Sequence, residues 1–311
     1  MASPRDEQHD PYRHVVTPRS LRALHHEEHL LFPLSYEETT RLVRDALDED
    51  GAFDDVTTIA TVRSDRRAHA TLVARQPGVV CGVMLAIEAF RQLDESVNVR
   101  VDAEDGVRVG AAAPVLFLTG KARGLLSAER VALNFMQRLS GIATLTRQYV
   151  DAIAGTRAKI LDTRKTTPGW RRLEKYAVRA GGGTNHRMNL SSCVLIKDNH
   201  LAAVEGDVAV AIQRSREHAA PGVKVEVECD RVEQVERALA AGADIILLDN
   251  MSLDDLRACV NLVGGRAKLE ASGGVTRDRV RAIAETGVDW ISIGGITHSA
   301  PALDLALDFE P

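Results

Sequence analysis

From Gly141 onward the chain repeats one unit: a short apolar run, a turn, then a helix-patterned stretch. Six such runs are predicted as strands, over 158–162, 192–197, 223–228, 243–249, 267–271 and 289–293. Between them the apolar residues return at helical intervals, as in Leu253, Leu256, Val260 and Val263, or Val280, Ile283 and Ala284. Strands that are apolar along their whole length and joined by helices make a parallel sheet covered on its outer face. Six units in one stretch favour a barrel or near-barrel over an open sheet. The pattern alone does not say whether the sheet closes.

The residues before Gly141 follow a different grammar. A helix is predicted over 36–49, with Leu42, Val43, Ala46 and Leu47 on one side. Short strands follow over 68–74, 78–83, 98–101 and 114–119, then a helix over 128–139 with Ala128, Val131, Ala132, Phe135, Met136 and Leu139 on its apolar stripe. Arg130, Asn134 and Gln137 fall on the opposite face. The resulting division is a polar extension over 1–33, a small α/β domain over 34–141 and a barrel-like domain over 142–311. The extension carries His9, His14, His25, His26 and His29 without a cysteine partner or clean helical spacing. A loosely ordered arm describes it better than a metal site.

Composition narrows the function classes. The chain has 311 residues and a formal net charge of −5, which argues against a general nucleic-acid binder. No apolar run approaches the ~20 residues of a membrane helix, and the N-terminal stretch shows no signal-peptide pattern. Four separated cysteines, Cys81, Cys193, Cys229 and Cys259, form neither a disulfide framework nor a zinc motif. These features describe a cytoplasmic protein with no membrane or nucleic-acid partner.

Charge is nonetheless gathered in one place. Arg164, Lys165, Arg171, Arg172, Lys175, Arg179, Arg187 and Lys197 face only Glu174 and Asp198. Such clustering in an acidic chain prepares a place for an anion. A solvated helix face accounts for Arg171, Arg172, Lys175 and Arg179, which sit in the helix-like run 169–179. It does not account for Arg164, Arg187 and Lys197, which adjoin apolar strands or glycines.

In β/α barrels the functional side chains come from the C-terminal ends of strands. Read in order, these ends carry Asp162, Arg164 and Lys165; then Lys197, Asp198, Asn199 and His200; then Glu226 and Glu228; then Asp249 and Asn250. The fifth ends in Glu270 and Ser272-Gly273-Gly274, and the sixth in Gly294-Gly295. Glycine turns let backbone N–H groups approach a phosphate. Glu228 and Asp249 suit ribose hydroxyls, Mg2+ or a developing positive charge. Arg164 and Arg187 offer planar forks for carboxylates, and Lys165 and Lys197 are compact point charges. The combination suits a carboxylate-rich ligand beside a sugar phosphate.

The stretches 162–169 (DTRKTTPG), 175–179 (KYAVR), 181–187 (GGGTNHR), 196–200 (IKDNH), 225–228 (VEVE), 248–250 (LDN), 269–274 (LEASGG) and 291–295 (ISIGG) resemble the quinolinate phosphoribosyltransferases in order and spacing. So do 54–58 (DDVTT), 129–134 (ERVALN) and 138–143 (RLSGIA) upstream. The match runs from about Tyr36 to Ser299, leaving out the extension before Leu34. The resemblance implies an N-terminal α/β sandwich domain and an incomplete, open α/β barrel of the type II phosphoribosyltransferase kind. It implies transfer of phosphoribose from phosphoribosyl pyrophosphate to quinolinate with loss of CO2, giving nicotinate mononucleotide for NAD biosynthesis.

It also implies a homodimer as the minimal active unit, leaves further assembly open, and brings Arg130 from the partner subunit to the base. Arg164, His186 and Arg187 would hold the two carboxylates together with Lys165 and Lys197, and Lys165 would also contact phosphoribosyl pyrophosphate. Glu228 and Asp249 would face the ribose and Mg2+, directly or through water or substrate. Ser272, Gly273, Gly274, Gly294 and Gly295 would cradle the 5′-phosphate. Lys165, Lys197, Glu228 and Asp249 are the expected catalytic set. The rivals are a transferase for nicotinate or another aromatic base, and a silent barrel that senses sugar phosphates. The silent barrel predicts loss of Asp249, Glu228 or the lysines, and all are present. No motif supports a structural or nucleic-acid-binding role.

Overall fold

A computed structural model describes residues 30–310 and the two-residue strand β1 (Val15–Val16). The histidines of the N-terminal extension lie outside the described residues. The chain divides into two compact units: residues up to 141 together with 302–310, and residues 142–301.

The first unit begins with α1 (Tyr36–Asp50). Ser35 caps it by accepting the Glu38 N–H, and the Glu38 side chain answers the Ser35 N–H. This reciprocal pair satisfies two donors that a helix start leaves open. Gly51, in the left-handed region, ends the helix. Then come α2 (Val56–Thr61), β2 (Arg67–Ala74), β3 (Gly78–Val79) and α3 (Val83–Leu93). β4 (Asn98–Val101), β5 (Arg108–Val109), β6 (Pro114–Lys121) and the long α4 (Ala122–Ala152) complete its run. The division between units, at 141/142, falls inside α4.

Two sequence expectations are corrected here. The run 78–83 is not one strand: it breaks after Val79, and Gly82 at φ +100° turns the chain into α3. Helix α3 opens on the apolar run 83–87 and is buried from Leu85 to Phe90, and a short apolar run of this kind reads equally well as strand or buried helix. The second correction concerns the end of the chain. Residues 302–310 do not belong to the barrel: β13 (Leu305–Glu310) pairs antiparallel with β2. The first sheet thus has the order β1-β4-β6-β2-β13.

The second unit alternates strand and helix. It contains β7 (Lys159–Leu161), α5 (Arg171–Ala180), β8 (Val194–Ile196), α6 (Asp198–Ala202), α7 (Val208–His218) and β9 (Val225–Cys229). α8 (Val232–Ala240), β10 (Ile245–Asp249), α9 (Leu253–Val263), β11 (Lys268–Ser272), α10 (Arg277–Ala284), β12 (Trp290–Ser292) and α11 (Gly295–His298) follow. All pairings are parallel, in the order β7-β12-β11-β10-β9-β8. β7 and β8 are the two ends of this order, so the sheet is an open α/β barrel.

At the strand starts, two aspartates fasten neighbours together. Asp244 accepts from the Val225 N–H at 2.9 Å and from Lys224 and Arg216. Asp289 accepts from the Leu269 N–H at 3.0 Å and from Lys268 and Arg157. Burial raises both carboxyl pKa values, but these donors outweigh it and hold them below the ordinary range. The strand starts carry this stabilising work, which leaves the strand ends for chemistry.

Candidate active site

The strand ends of the second unit surround a cavity of about 820 Å3. Side chains on a strand alternate faces, so residues two apart share one. Leu195 and Lys197, Leu247 and Asp249, and Glu270 and Ser272 line the cavity as such pairs. Arg164, Lys165, His186, Arg187, Lys197, Glu228 and Asp249 all contribute to its wall, as do Ser272, Gly273, Gly274, Gly294 and Gly295. Arg130 lies in the first unit, exposed on α4, and does not line this cavity.

The cationic side is built around two guanidinium groups. Arg187 is half-buried and donates to the Cys193 carbonyl at 3.0 Å. Burial, then the like charge of Arg164, lowers its proton affinity. The Arg164 Nε is buried without a hydrogen-bond partner in the structure. Two repelling, partly desolvated guanidiniums gain more from an anion between them than two solvated ones would. Lys197 reaches across to Glu228, with Nζ 2.7 Å from Oε2, while nearly half of its side chain remains exposed. An anionic ligand can compete for that lysine.

Behind them Glu226 and Glu270, read at the strand ends without an assigned role, meet His186 in one cluster. His186 Nε2 lies 3.3 Å from Oε2 of Glu226 and 3.3 Å from Oε2 of Glu270, both carboxylates being almost fully buried. Glu226 Oε1 and both Glu270 oxygens have no hydrogen-bond partner. Burial disfavours a charged imidazole, but the two carboxylates outweigh it and raise the His186 pKa to about 10. Meanwhile Nδ1 accepts the Arg187 N–H at 2.7 Å, a contact that a doubly protonated ring would give up. Nε2 faces both carboxylates, and burial raises the Glu226 pKa against the pull of His186. Both His186 nitrogens are thus engaged, and holding a substrate carboxylate would require one contact to be exchanged. The signal was present in sequence, since Val225-Glu-Val-Glu and Leu269-Glu put carboxylates inside apolar strands.

Lys175 corrects the solvated-helix reading of α5. Arg172 and Arg179 are exposed as expected, but Lys175 is fully buried and paired with the equally buried Asp162. Arg171, half-buried, donates to Thr166 Oγ1 and to the carbonyls of Arg164 and Met188. Glu174, also buried, accepts from the Thr167 N–H and hydroxyl. Most of this helix therefore braces the 163–170 loop instead of facing water.

The glycine turns meet close neighbours. A Cβ at Gly273, where φ is +90°, would stand 2.3 Å from Asn250 Oδ1, and one at Gly294 would stand 2.9 Å from Lys165 Cδ. Asn250 in turn donates to Asp249 at 2.9 Å. Thr297 on α11 donates to the Lys165 carbonyl at 2.8 Å and ties the first strand's loop to the last.

Two groups could hold a metal. His186, Glu226 and Glu270 place three ligand atoms within 4.8 Å of one another. Glu228 and Asp249 are two oxygen donors on the cavity wall and form no three-residue cage among the described residues. That sparse, hard donor set fits Mg2+, which keeps several waters and is bound through one or two carboxylates plus substrate phosphates. The cysteines offer no nucleophile. Cys81, Cys229 and Cys259 are buried, and burial raises the thiol pKa of all four.

Both units match known proteins. Residues 142–308 match the model for the quinolinate phosphoribosyl transferase C-terminal domain, and residues 55–140 match that for its N-terminal domain. A probable nicotinate-nucleotide pyrophosphorylase (carboxylating) of Bacillus subtilis is 44% identical over 260 residues, covering 84% of this chain and 89% of its own. The Mycobacterium leprae nicotinate-nucleotide pyrophosphorylase (carboxylating) is 43% identical over 285 residues, covering 90% of this chain and all of its own. Among solved structures, the Francisella tularensis nicotinate-nucleotide pyrophosphorylase superposes with a TM-score of 0.84 at 40% identity, covering 90% of this chain and 98% of that one. With both domains matched in order, the chain belongs to the quinolinate phosphoribosyltransferase family.

Proposed function

We propose that this protein transfers the phosphoribosyl group of phosphoribosyl pyrophosphate to quinolinate and releases pyrophosphate and CO2, leaving nicotinate mononucleotide. The observation that carries the reading is the division of one cavity into an arginine-rich side, a carboxylate pair and two glycine turns. Arg164 and Arg187, with Lys197, bind the dicarboxylate base and orient its ring nitrogen toward C1 of the ribose. Lys165, whose Cδ would stand 2.9 Å from a Cβ at Gly294, serves the phosphoribosyl pyrophosphate beside the 294–295 turn. Glu228 and Asp249 support positive charge as the bond from C1 to pyrophosphate loosens. Mg2+, bound through these carboxylates and the diphosphate, would neutralise charge on the leaving group. Attack makes the ring nitrogen quaternary. The adjacent carboxylate then leaves as CO2; the electron pair left at C2 is stabilised by the neighbouring quaternary nitrogen and takes up a proton from solvent, giving nicotinate mononucleotide.

The working unit in this reading is a homodimer, in which Arg130 of one subunit serves the cavity of the other. Its support is the exposure of Arg130 on α4, in the unit that does not contain the cavity. A cytoplasmic location belongs to the same reading. It is supported by four free cysteines, which a reducing compartment keeps as thiols, and by the lack of any membrane-length apolar helix among the described residues.

Nicotinate, which lacks the second carboxylate, separates this reading from its nearest rival. A charge-assisted hydrogen bond contributes about 1.5–3 kcal/mol, so kcat/KM for quinolinate should exceed that for nicotinate by at least tenfold. Equal values for the two acids would reassign the cavity to a monocarboxylate base.

A further inference from the structure

The turn that carries His186 and Arg187 is held by groups outside the cavity. Its base is three glycines pressed against the second-unit end of α4. A Cβ at Gly181 would stand 2.5 Å from the Ala143 carbonyl oxygen, and one at Gly183 would stand 2.7 Å from Val178. Thr184 then joins the free edge of β7, its N–H donating to the Ile160 carbonyl at 2.8 Å. Next, the chain meets the buried Asp162–Lys175 pair. Asp162 Oδ1 accepts from Lys175 and from the His186 N–H at 2.9 Å, and its Oδ2 accepts from Asn185 Nδ2 at 2.6 Å. Lys175 Nζ also donates to the His186 carbonyl at 2.9 Å, and Asn185 Nδ2 to the Lys175 carbonyl at 2.8 Å.

A buried ion pair is a poor way to gain stability, because apolar residues of the same volume usually do as well. Here the hydrogen bonds that the pair does not make internally go to residues 185 and 186. We propose that Asp162 and Lys175 are positioning residues for the base-binding side of the cavity, fixing the 184–187 turn so that Arg187 meets the base. The inference rests on the functional reading above. The glycine turns, Glu228 and Asp249 stand on other strands, and Lys165 is tied to α11 by Thr297, so the sugar-phosphate side should not feel a loosened 184–187 turn.

The test uses the full-length protein and two variants. Asp162→Asn/Lys175→Met removes both charges at nearly constant volume, and Asn185→Ala removes one tether while leaving the pair intact. Quinolinate binding is measured by calorimetry, and KM is measured for both substrates. The double variant should raise the quinolinate Kd and KM at least tenfold, and Asn185→Ala at least threefold, with KM for phosphoribosyl pyrophosphate within twofold of wild type. A merely structural pair would lower the active fraction, and hence apparent kcat, at unchanged KM. That outcome in the double variant overturns the proposal. If the double variant does not fold, an unchanged quinolinate Kd in Asn185→Ala overturns it instead. A wild-type protein that binds no quinolinate overturns the functional reading, and this proposal with it.

Discussion

At the scale of single residues the cavity is organised by uncomfortable charges. Arg187 is half-buried beside Arg164, and Glu226 and Glu270 share one imidazole in near-complete burial. Lys165 and Lys197 remain exposed on the cavity wall, Lys197 against Glu228. Arg130 supplies the sharpest residue-scale prediction. Arg130→Ala and Arg187→Ala should each be nearly inactive, since each removes one fork from every site. Mixed and allowed to exchange subunits, they form hybrids in which one site carries both lesions and the other neither. Random pairing makes half of the dimers hybrid, so activity should return to roughly a quarter of wild type for a two-fold dimer. Complete exchange, followed with a tagged subunit and giving no recovery, would remove Arg130 from the partner's site. Residues at strand ends were legible because a period of two and an apolar strand leave few places for a charge. Lys175 was not: three arginines share its helix, and its burial is decided by Asp162, thirteen residues away.

The same logic governs whole elements. β10 and β11 run in register, with Asp249 opposite Ser272, so the turn after β11 packs on the residue after β10. A Cβ at Gly273 would enter the Asn250 side chain, which donates to Asp249. Gly273→Ala should therefore raise KM for phosphoribosyl pyrophosphate by tenfold or more and leave quinolinate binding within twofold. Steady-state kinetics with each substrate varied in turn checks this, and a variant with wild-type constants would show that the turn does not hold the sugar phosphate. The barrel strands were legible within a few residues because each is a short apolar run between well-patterned helices. α3 was missed because its opening apolar run, 83–87, follows closely on the apolar run 79–81, and short apolar runs do not distinguish helix from strand. β13 was assigned to the wrong unit for a different reason. Its partner β2 lies more than two hundred residues earlier, as in the contact of Arg75 with Asp308, and local pattern carries no information about such pairing.

At the scale of the whole molecule, the described residues form three sheets, and the six-stranded parallel one surrounds the cavity. Six strands were countable in sequence. That β7 and β8 stay unjoined depends on the pairing order, to which periodicity is blind. The segregation of charge was legible at this scale too: cations in the first βα units, carboxylates in the middle ones, glycines in the last. It describes a cavity that takes a dicarboxylate base and a sugar diphosphate together and couples their joining to decarboxylation. The most direct measurement supplies quinolinate labelled in the carboxyl group next to the ring nitrogen, with phosphoribosyl pyrophosphate and Mg2+. Labelled CO2, pyrophosphate and nicotinate mononucleotide should appear in equal amounts, and all three should cease when Mg2+ is chelated. Pyrophosphate released without labelled CO2, or a nucleotide that retains the label, would contradict the account.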